Sequence, residues 1–261
     1  MLLRALVAAS LLALLTIILL PVQVLAVSRK WALRRSIPHL FHRLACPLIG
    51  VRISVIGTPP RHETTLIVSN HSSWLDVAAI SAVTPTVFIA KREIERWPVF
   101  GLLAKLQRSV FVDRQRRRAT DRVNEQIAQR LASGDHVVLF AEGTSGDGTR
   151  ILPFRSALVG AAATALVHDI GRAHILVQPL SIVYTRLQGI PLGREHRFHT
   201  AWCGTVALVP HLVHVLREGA LDVTLSWGEP FRYTLQSDRK TVTRELQIAV
   251  RKLSLHASRL R

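Results

Sequence analysis

The chain has 261 residues, of which 49% are hydrophobic, so it is long and apolar enough for one domain with a sizeable core. Its 34 basic residues outnumber the 17 acidic ones and give a formal net charge of +17, which favours an anionic partner, either nucleic acid or a phospholipid surface. The two cysteines, Cys46 and Cys203, lie far apart and in no metal-ligand spacing, which argues against a disulfide framework and against a metal site.

The amino-terminal segment is almost wholly apolar over residues 5–27. A helix of this length, rising about 1.5 Å per residue, crosses a hydrocarbon core of about 30 Å. A cleaved signal peptide is the alternative, with Arg4 as its charged start. The basic residues that follow the apolar run outnumber those before it, which places the body of the protein in the cytoplasm. We therefore predict a transmembrane anchor over residues 1–28, in the inner (cytoplasmic) membrane.

The next segment, residues 29–50, has apolar residues at helical spacing with arginines between them. It predicts a basic amphipathic helix at the membrane surface, broken or kinked by Pro38. A helix that packs on the globular core is the alternative.

From residue 51 onward, short β-rich runs alternate with helical stretches. This pattern predicts an α/β domain over residues 51–261, with a central mostly parallel or mixed sheet flanked by helices. The predicted strands are 51–56, 66–69, 86–90, 109–112, 136–141, 175–184 and 223–227, and the predicted helices are 75–83, 120–132, 156–167 and 242–260.

Residues 70–76 hold the most informative pattern, because His71 follows an apolar strand and Asp76 comes five positions later. Histidine changes charge near neutral pH, and a carboxylate on one ring nitrogen leaves the other free to accept a proton. On one continuous helix the two side chains would not share a face, so the pair requires a corner between strand and helix. Ser72 or Ser73 could cap that helix. A capped strand-to-helix junction without chemistry is the alternative interpretation.

A second glycine-rich stretch, residues 142–148, also follows a predicted strand. It lacks the lysine of a P-loop, the glycine spacing of a dinucleotide-binding turn and the pattern of a nucleophilic serine elbow. Its glycines would let backbone amides approach an anion, and a plain turn is the alternative.

These stretches together resemble the glycerolipid acyltransferases, the 1-acylglycerol-3-phosphate acyltransferase family. The first block is Asn70 and His71 with Asp76, and the third runs from Phe140 to Thr144. The second block and the fourth are also present in the same order, as residues 88–94 with 110–114 and residues 177–180. The resemblance covers residues 70 to about 181.

The resemblance implies direct acyl transfer from an acyl thioester to the hydroxyl of a lysolipid, with His71 as general base and Asp76 holding its imidazole. It implies substrate-binding roles for the matching residues Asn70, Lys91, Arg114, Glu142, Gly143, Thr144 and Arg155. Arg114 matches the position that contacts acceptor phosphate in the family. The expected donor is acyl carrier protein or coenzyme A carrying the acyl group, and the expected partner is the membrane bilayer. No bound cofactor or metal is expected.

Two departures weaken the case for a phosphate-bearing acceptor. The third block of the family begins with proline and ends with Thr-Arg, whereas this chain has Ala141 and Ser145 at those positions. The third block is more similar to that of the lyso-ornithine lipid acyltransferase branch. Arg108, Arg114 or Arg155 could still supply a cation.

A non-catalytic, membrane-tethered protein that binds anionic lipid or nucleic acid is the alternative from a different class. Its support is the net charge alone. Nothing resembles a zinc finger, and aromatic residues make up only 6% of the chain, which gives few stacking platforms. We therefore expect no nucleic-acid partner.

Overall fold

The computed structural model describes residues 2–112, 119–168, 173–193, 196–197, 200–204 and 206–259. The helices are α1 (Leu2–Ser28), α2 (Leu33–Ile49), α3 (Leu75–Val83), α4 (Phe100–Leu106), α5 (Ala119–Ala132), α6 (Ser156–Val159), α7 (Ala161–His168), α8 (Leu208–Glu218) and α9 (Arg239–Arg259). The strands are β1 (Val51–Ile56), β2 (Thr65–Ser69), β3 (Thr86–Lys91), β4 (Val110–Val112), β5 (His136–Phe140), β6 (Ile175–Leu187), β7 (Ile190–Pro191), β8 (Leu221–Trp227) and β9 (Phe231–Tyr233).

The strands form one mixed sheet in the order β1-β8-β6-β2-β5-β3-β4, with β7 and β9 paired to β6. The neighbours from β6 to β4 pair in parallel, while β8 runs antiparallel to β6. Every residue of β2 and β5 is buried, as expected of parallel strands covered on both faces. The predicted α/β fold with a mostly parallel or mixed sheet is confirmed.

Helices cover both faces of this sheet. Successive residues of a strand point to opposite faces, so each strand contributes to two cores. Leu66 and Val68 of β2 join one core with α5, α7 and α9, while Ile67 between them joins the other. That second core includes residues of α1, α2, α3 and α8. The parallel strands β2 and β5 finish side by side at the same end of the sheet. This end lies between the two helical layers.

Most predicted elements lie within a few residues of the observed ones, and the bounds of β1 and α3 agree with the prediction. The stretch predicted as helical over 156–167 is helical except at Gly160, which separates α6 from α7. Helices α4 and α8 and strands β7 and β9 are not among the predicted elements. Strands β7 and β9 have only two and three residues, too few for a periodic pattern.

Helix α1 is long and apolar enough to cross a membrane, and 11% of its most apolar window is buried inside the protein. Two polar side chains fasten it to the domain. Near its start, Arg4 donates to the backbone carbonyls of Ile49 and Leu216, at the ends of α2 and α8. Near its end, the buried Gln23 amide donates to the carbonyls of Arg34 (3.1 Å) and Leu106 (2.7 Å).

Helix α2 continues through Pro38, so the helix is not broken there, and the alternative of a kink stays a prediction. A proline inside a helix leaves the carbonyl four residues earlier without its usual amide donor. That carbonyl belongs to Arg34, and the Gln23 side chain supplies the missing donor. Helix α2 buries Ile37, Ala45, Cys46 and Ile49 in the protein and leaves Leu33, Leu40 and Leu44 exposed. The boundaries at residues 28 and 50 stay predictions.

Candidate active site

His71 and Asp76 meet at a corner between β2 and α3. Strand β2 ends at Ser69, and Asp76 lies in the first turn of α3. The turn brings the Asp76 carboxylate back to the imidazole, with 2.9 Å between Oδ2 and Nδ1 of His71. The same oxygen accepts the backbone amides of Ser72 (2.8 Å) and Ser73 (3.0 Å). The expected serine cap is not formed, because Trp74 is the residue that caps the start of α3 and no side chain among the described residues bonds to the amides of its first turn.

The Asp76 carboxylate is fully buried, and each of its oxygens has a donor. Oδ1 accepts the Tyr184 hydroxyl at 2.6 Å, from β6. Burial, together with the Asp76 charge, holds the pKa of Tyr184 well above its usual value, so the phenol stays a donor. A buried carboxylate that accepts several hydrogen bonds is a stable orienting group for an imidazole.

The His71 ring stacks on Phe140 at the end of β5, with 3.9 Å between ring centroids and 17° between planes. Because Oδ2 of Asp76 is an acceptor, we assign the ring proton to Nδ1, which leaves a lone pair on Nε2. The His71 side chain is 17% exposed and lines both cavities described below. This arrangement suits general-base chemistry on a bound hydroxyl.

Glu142, which follows Ala141 after β5, holds the loop between β2 and α3 that carries His71. Its carboxylate accepts the backbone amides of His71 (2.9 Å) and Leu152 (2.7 Å). Burial raises the pKa of Glu142 to about 7; the two amide bonds oppose the shift, while the nearby acids Asp76 and Asp147 add to it. Glu142 therefore positions the loop that carries His71.

Asn70 joins the same loop to β6. Its side-chain amide donates to the carbonyl of Ile182 (3.0 Å) and accepts the Ile182 amide (2.9 Å). Both ends of the amide thus contact backbone, which reproduces the pairing of a strand neighbour. The loop is held by β5 on one side and by β6 on the other.

An apolar cavity of about 430 Å³ opens at His71. It runs between α1, α2, α3 and α4 and reaches Gln107 and Ser109, which precede β4. These two residues lie at the amino-terminal ends of the parallel strands, whereas His71 lies at the carboxyl-terminal ends. Its wall is mostly aliphatic and aromatic, with Trp74, Phe140 and Trp202 near the histidine. A cavity of this length and lining fits an alkyl chain.

A smaller polar pocket of about 30 Å³ also borders His71. It is lined by Asn70, Ser72 and Glu142 together with Arg150 and Arg197 from later in the chain. His71 therefore stands where an apolar compartment meets a polar one.

The other predicted site residues have different positions. Lys91 and Thr144 are exposed and line the apolar cavity. Gly143 has a φ of +70°, and a Cβ there would lie 2.9 Å from Nε of the exposed Arg155, so the backbone and the arginine both favour glycine. Arg114 lies outside the described residues.

Arg108 is not near this site, which corrects its assignment as a candidate cation. It is buried and forms an ion pair with Asp135. Both residues precede strands, β4 and β5, that run parallel to β2, and β2 carries His71 at its other end. The Arg108–Asp135 ion pair therefore lies at the amino-terminal ends of the parallel strands, whereas His71 lies at the carboxyl-terminal ends.

Tyr184, Phe140, Trp202, Arg150 and Arg197 were not predicted as site residues. They lie in β5, in β6 and in the segments that follow β5 and β7, and no local spacing marks them. Among the residues that the structure describes, no group of three histidine, cysteine or acidic side chains is placed to hold a metal ion.

Comparisons with known proteins agree with this geometry. The family model described as Acyltransferase matches residues 51–183. The chain is 46% identical over 239 residues to a lyso-ornithine lipid O-acyltransferase of Brucella abortus (strain 2308), which covers 92% of this chain and 89% of that protein. It is 40% identical to a 1-acyl-sn-glycerol-3-phosphate acyltransferase of Neisseria gonorrhoeae over 112 residues, 42% of this chain and 44% of that protein.

A solved structure has the same fold. It is the 1-acyl-sn-glycerophosphate (LPA) acyltransferase PlsC from Thermotoga maritima, with a TM-score of 0.67 and 20% identity, covering 98% of this chain and 95% of that one. The predicted family is thereby confirmed. The matched residues include the whole corner between β2 and α3, and the chain belongs to the acyltransferase family, as an enzyme that transfers acyl groups.

Proposed function

We propose that the protein is a membrane-bound O-acyltransferase that moves a fatty acyl group from a thioester to the hydroxyl of a lysolipid in membrane lipid biosynthesis. The observation that carries the proposal is the His71–Asp76 pair at the junction of an apolar cavity and a polar pocket. The acyl chain occupies the cavity, where burial of each methylene contributes about 0.8 kcal/mol. The acceptor hydroxyl lies at Nε2 of His71.

The acyl group passes directly from the thioester to the acceptor hydroxyl, without an acyl-enzyme intermediate. Nε2 of His71 takes the hydroxyl proton as the oxygen attacks the thioester carbonyl carbon. The tetrahedral intermediate collapses with cleavage of the carbon–sulfur bond, and the imidazolium returns the proton to the leaving thiolate. Asp76 stabilises the imidazolium between these two steps.

A cysteine nucleophile is not supported in this cavity region. Burial raises the pKa of the Cys46 thiol to about 12, so the thiolate fraction at neutral pH is very small. Direct attack by the activated hydroxyl is therefore the favoured route.

We propose a lyso-ornithine lipid as acceptor, in preference to 1-acylglycerol-3-phosphate. The support is the similarity to lyso-ornithine lipid O-acyltransferases over nine tenths of the chain, including a second one from Rhizobium meliloti (strain 1021) at 45% identity. Ser145 stands where the phosphate-directed arginine is expected. Acyl carrier protein or coenzyme A carries the acyl group, with no bound cofactor.

The enzyme would act at the cytoplasmic side of the inner membrane, anchored by α1. Support comes from the apolar length of α1 and from the basic residues that follow it. A thioester donor made in the cytoplasm would then reach the open end of the site.

The experiment is a transfer assay with membranes that contain the full chain. Labelled acyl-acyl carrier protein and acyl-coenzyme A are each supplied with a panel of lysolipids, and membranes without the protein are the control. We expect labelled ornithine lipid as the main product. Absence of product with every lysolipid would contradict the proposal and favour a non-catalytic binder of anionic lipid.

A further inference from the structure

We propose that the polar pocket beside His71 is the subsite for the carboxylate of the acceptor's headgroup, with Arg150 and Arg197 as its cations. The inference rests on the proposed function, because it names the headgroup chemistry that the same site selects. It concerns residues outside the four sequence blocks that carry the family resemblance.

Five segments of the described chain line the pocket, and hydrogen bonds hold three of them together. The amide of Gly146 donates to the carbonyl of His71 (2.8 Å), and the amide of Trp202 donates to the carbonyl of Ser72 (2.7 Å). Nη1 of Arg197 donates to the carbonyl of Gly148 at 2.8 Å. The pocket is therefore preformed against the catalytic loop, which lowers the ordering cost of binding.

The two arginines give the pocket its affinity for an anion. Arg197 is partly buried, and its guanidinium is fixed at the pocket because Nη1 donates to the carbonyl of Gly148 and Nη2 donates to Oγ of Ser258 at 3.4 Å. Arg150 is exposed at the pocket and lies close enough to Asp147 for its charge to act on that carboxylate. A guanidinium fork matches the two oxygens of a carboxylate, and such charge-assisted bonds are stronger than neutral ones.

Charge favours a carboxylate over a phosphate monoester. A volume of about 30 Å³ exceeds the minimum of about 10–15 Å³ that one water needs, so the pocket has room for a small polar group. The Glu142 carboxyl also lines the pocket. A dianionic phosphate would meet more repulsion from that acid than a singly charged carboxylate does.

Glu142 suits the ammonium group of the same headgroup. Its two oxygens accept backbone amides, and a carboxylate has about four acceptor sites, so capacity is left for a further donor. A headgroup that carries one carboxylate and one side-chain ammonium complements a pocket with two guanidiniums and one acid. This headgroup belongs to the acceptor that similarity favours.

The test compares kcat/KM for lyso-ornithine lipid and for its carboxyl methyl ester, with the full chain in membranes. Wild type should prefer the free carboxylate by about 10- to 100-fold. Arg150→Gln should lose most of that preference through a higher KM, with little change for the ester. Arg197→Lys, which keeps the charge and loses the fork, should lose part of it. Arg232→Gln, at an exposed position on β9, is the matched control.

Equal use of the acid and the ester by wild type would overturn the subsite. So would an equal loss on both acceptors in Arg150→Gln, which marks a structural role. Efficient acylation of 1-acylglycerol-3-phosphate with none of lyso-ornithine lipid would overturn the subsite and leave the acyl transfer intact. No acylation of any lysolipid would overturn the proposed function as well.

Discussion

The two compartments that meet at His71 are built in different ways. The apolar cavity has a volume of about 430 Å³ and walls made of the helices α1 to α4, with side chains that the hydrophobic effect gathers. The polar pocket has a volume of about 30 Å³ and walls made of loops together with residues of β6 and α9, and backbone hydrogen bonds hold the loops in place. The first can accept chains of different length, whereas the second is matched to one small group.

The difference explains why a single imidazole can serve two unlike substrates. Dispersion and burial are non-directional, so the large cavity needs volume more than geometry. Hydrogen bonds are directional, so the small pocket needs fixed groups. His71 belongs to both, and Asp76 behind it fixes its orientation with respect to each.

The largest effect is expected from Asp76→Asn, which removes the negative charge beside the imidazole of His71. The asparagine oxygen can still accept the amides of Ser72 and Ser73, and Tyr184 can turn its hydroxyl to accept from the amide nitrogen. Loss of imidazolium stabilisation should lower kcat by about 10² to 10⁴. A kcat measured at saturating substrates within tenfold of wild type would contradict the orienting role, and Tyr184→Phe should cost less.

The pH dependence of the free energy of unfolding tests the environment of Glu142, which lines the polar pocket. Folding raises the pKa of Glu142 from 4.5 to about 7, so the native state binds its proton more tightly than the unfolded state does. The resulting stabilisation is complete below about pH 4.5 and is lost as the pH rises through 7. It amounts to about 3 kcal/mol. Glu142→Gln should remove this slope from the unfolding free energy, while Glu229→Gln, at an exposed site, should keep it. An unchanged slope in Glu142→Gln would count against the assignment.

The apolar side is tested by Ala104→Phe on α4, which fills the part of the cavity near Gln107. Shorter acyl chains should then be favoured over long ones by about tenfold, since a few methylenes of lost contact carry about 1–3 kcal/mol. The readout is the chain-length distribution of the product from a mixed donor pool. Ala132→Phe, exposed at the end of α5, is the control, and an identical distribution in both variants would show that the chain does not occupy the cavity.

The smallest effect concerns the attachment of α1. Gln23→Leu removes the donor for the carbonyls of Arg34 and Leu106, and the gain in apolar burial partly offsets the loss. We expect a loss of about 1 kcal/mol, seen as a lower Tm of the protein in detergent. Val22→Leu, at the exposed neighbouring position, should leave Tm unchanged. An unchanged Tm in Gln23→Leu would mean that these two hydrogen bonds do not stabilise the attachment of α1.

The catalytic pair and most of the sheet could be predicted from the sequence because their signals are local. His71 and Asp76 are five residues apart, and one strand-to-helix corner determines their distance. The buried runs of β2 and β5 are also visible within a few residues. The partners of the pair are not local: the Tyr184 hydroxyl reaches Asp76 from 108 residues along the chain.

The same reasoning explains the errors. The prediction for Arg108 assumed that closeness in sequence to the second block means closeness to the site, whereas the residue precedes β4 and faces Asp135 at the amino-terminal ends of the parallel strands. The alternative of a break at Pro38 ignored a donor from outside the helix, which Gln23 supplies. Side chains that satisfy distant backbone groups leave no periodic signal.

The most direct test of the account is the kcat of His71→Ala with labelled thioester and lysolipid at saturation, alongside a thermal unfolding curve. The account predicts a loss of at least about 10² in kcat with an unchanged Tm, because the imidazole is the base and its ring is partly exposed. A variant that keeps more than a tenth of wild-type turnover would contradict the assignment of His71 as the general base.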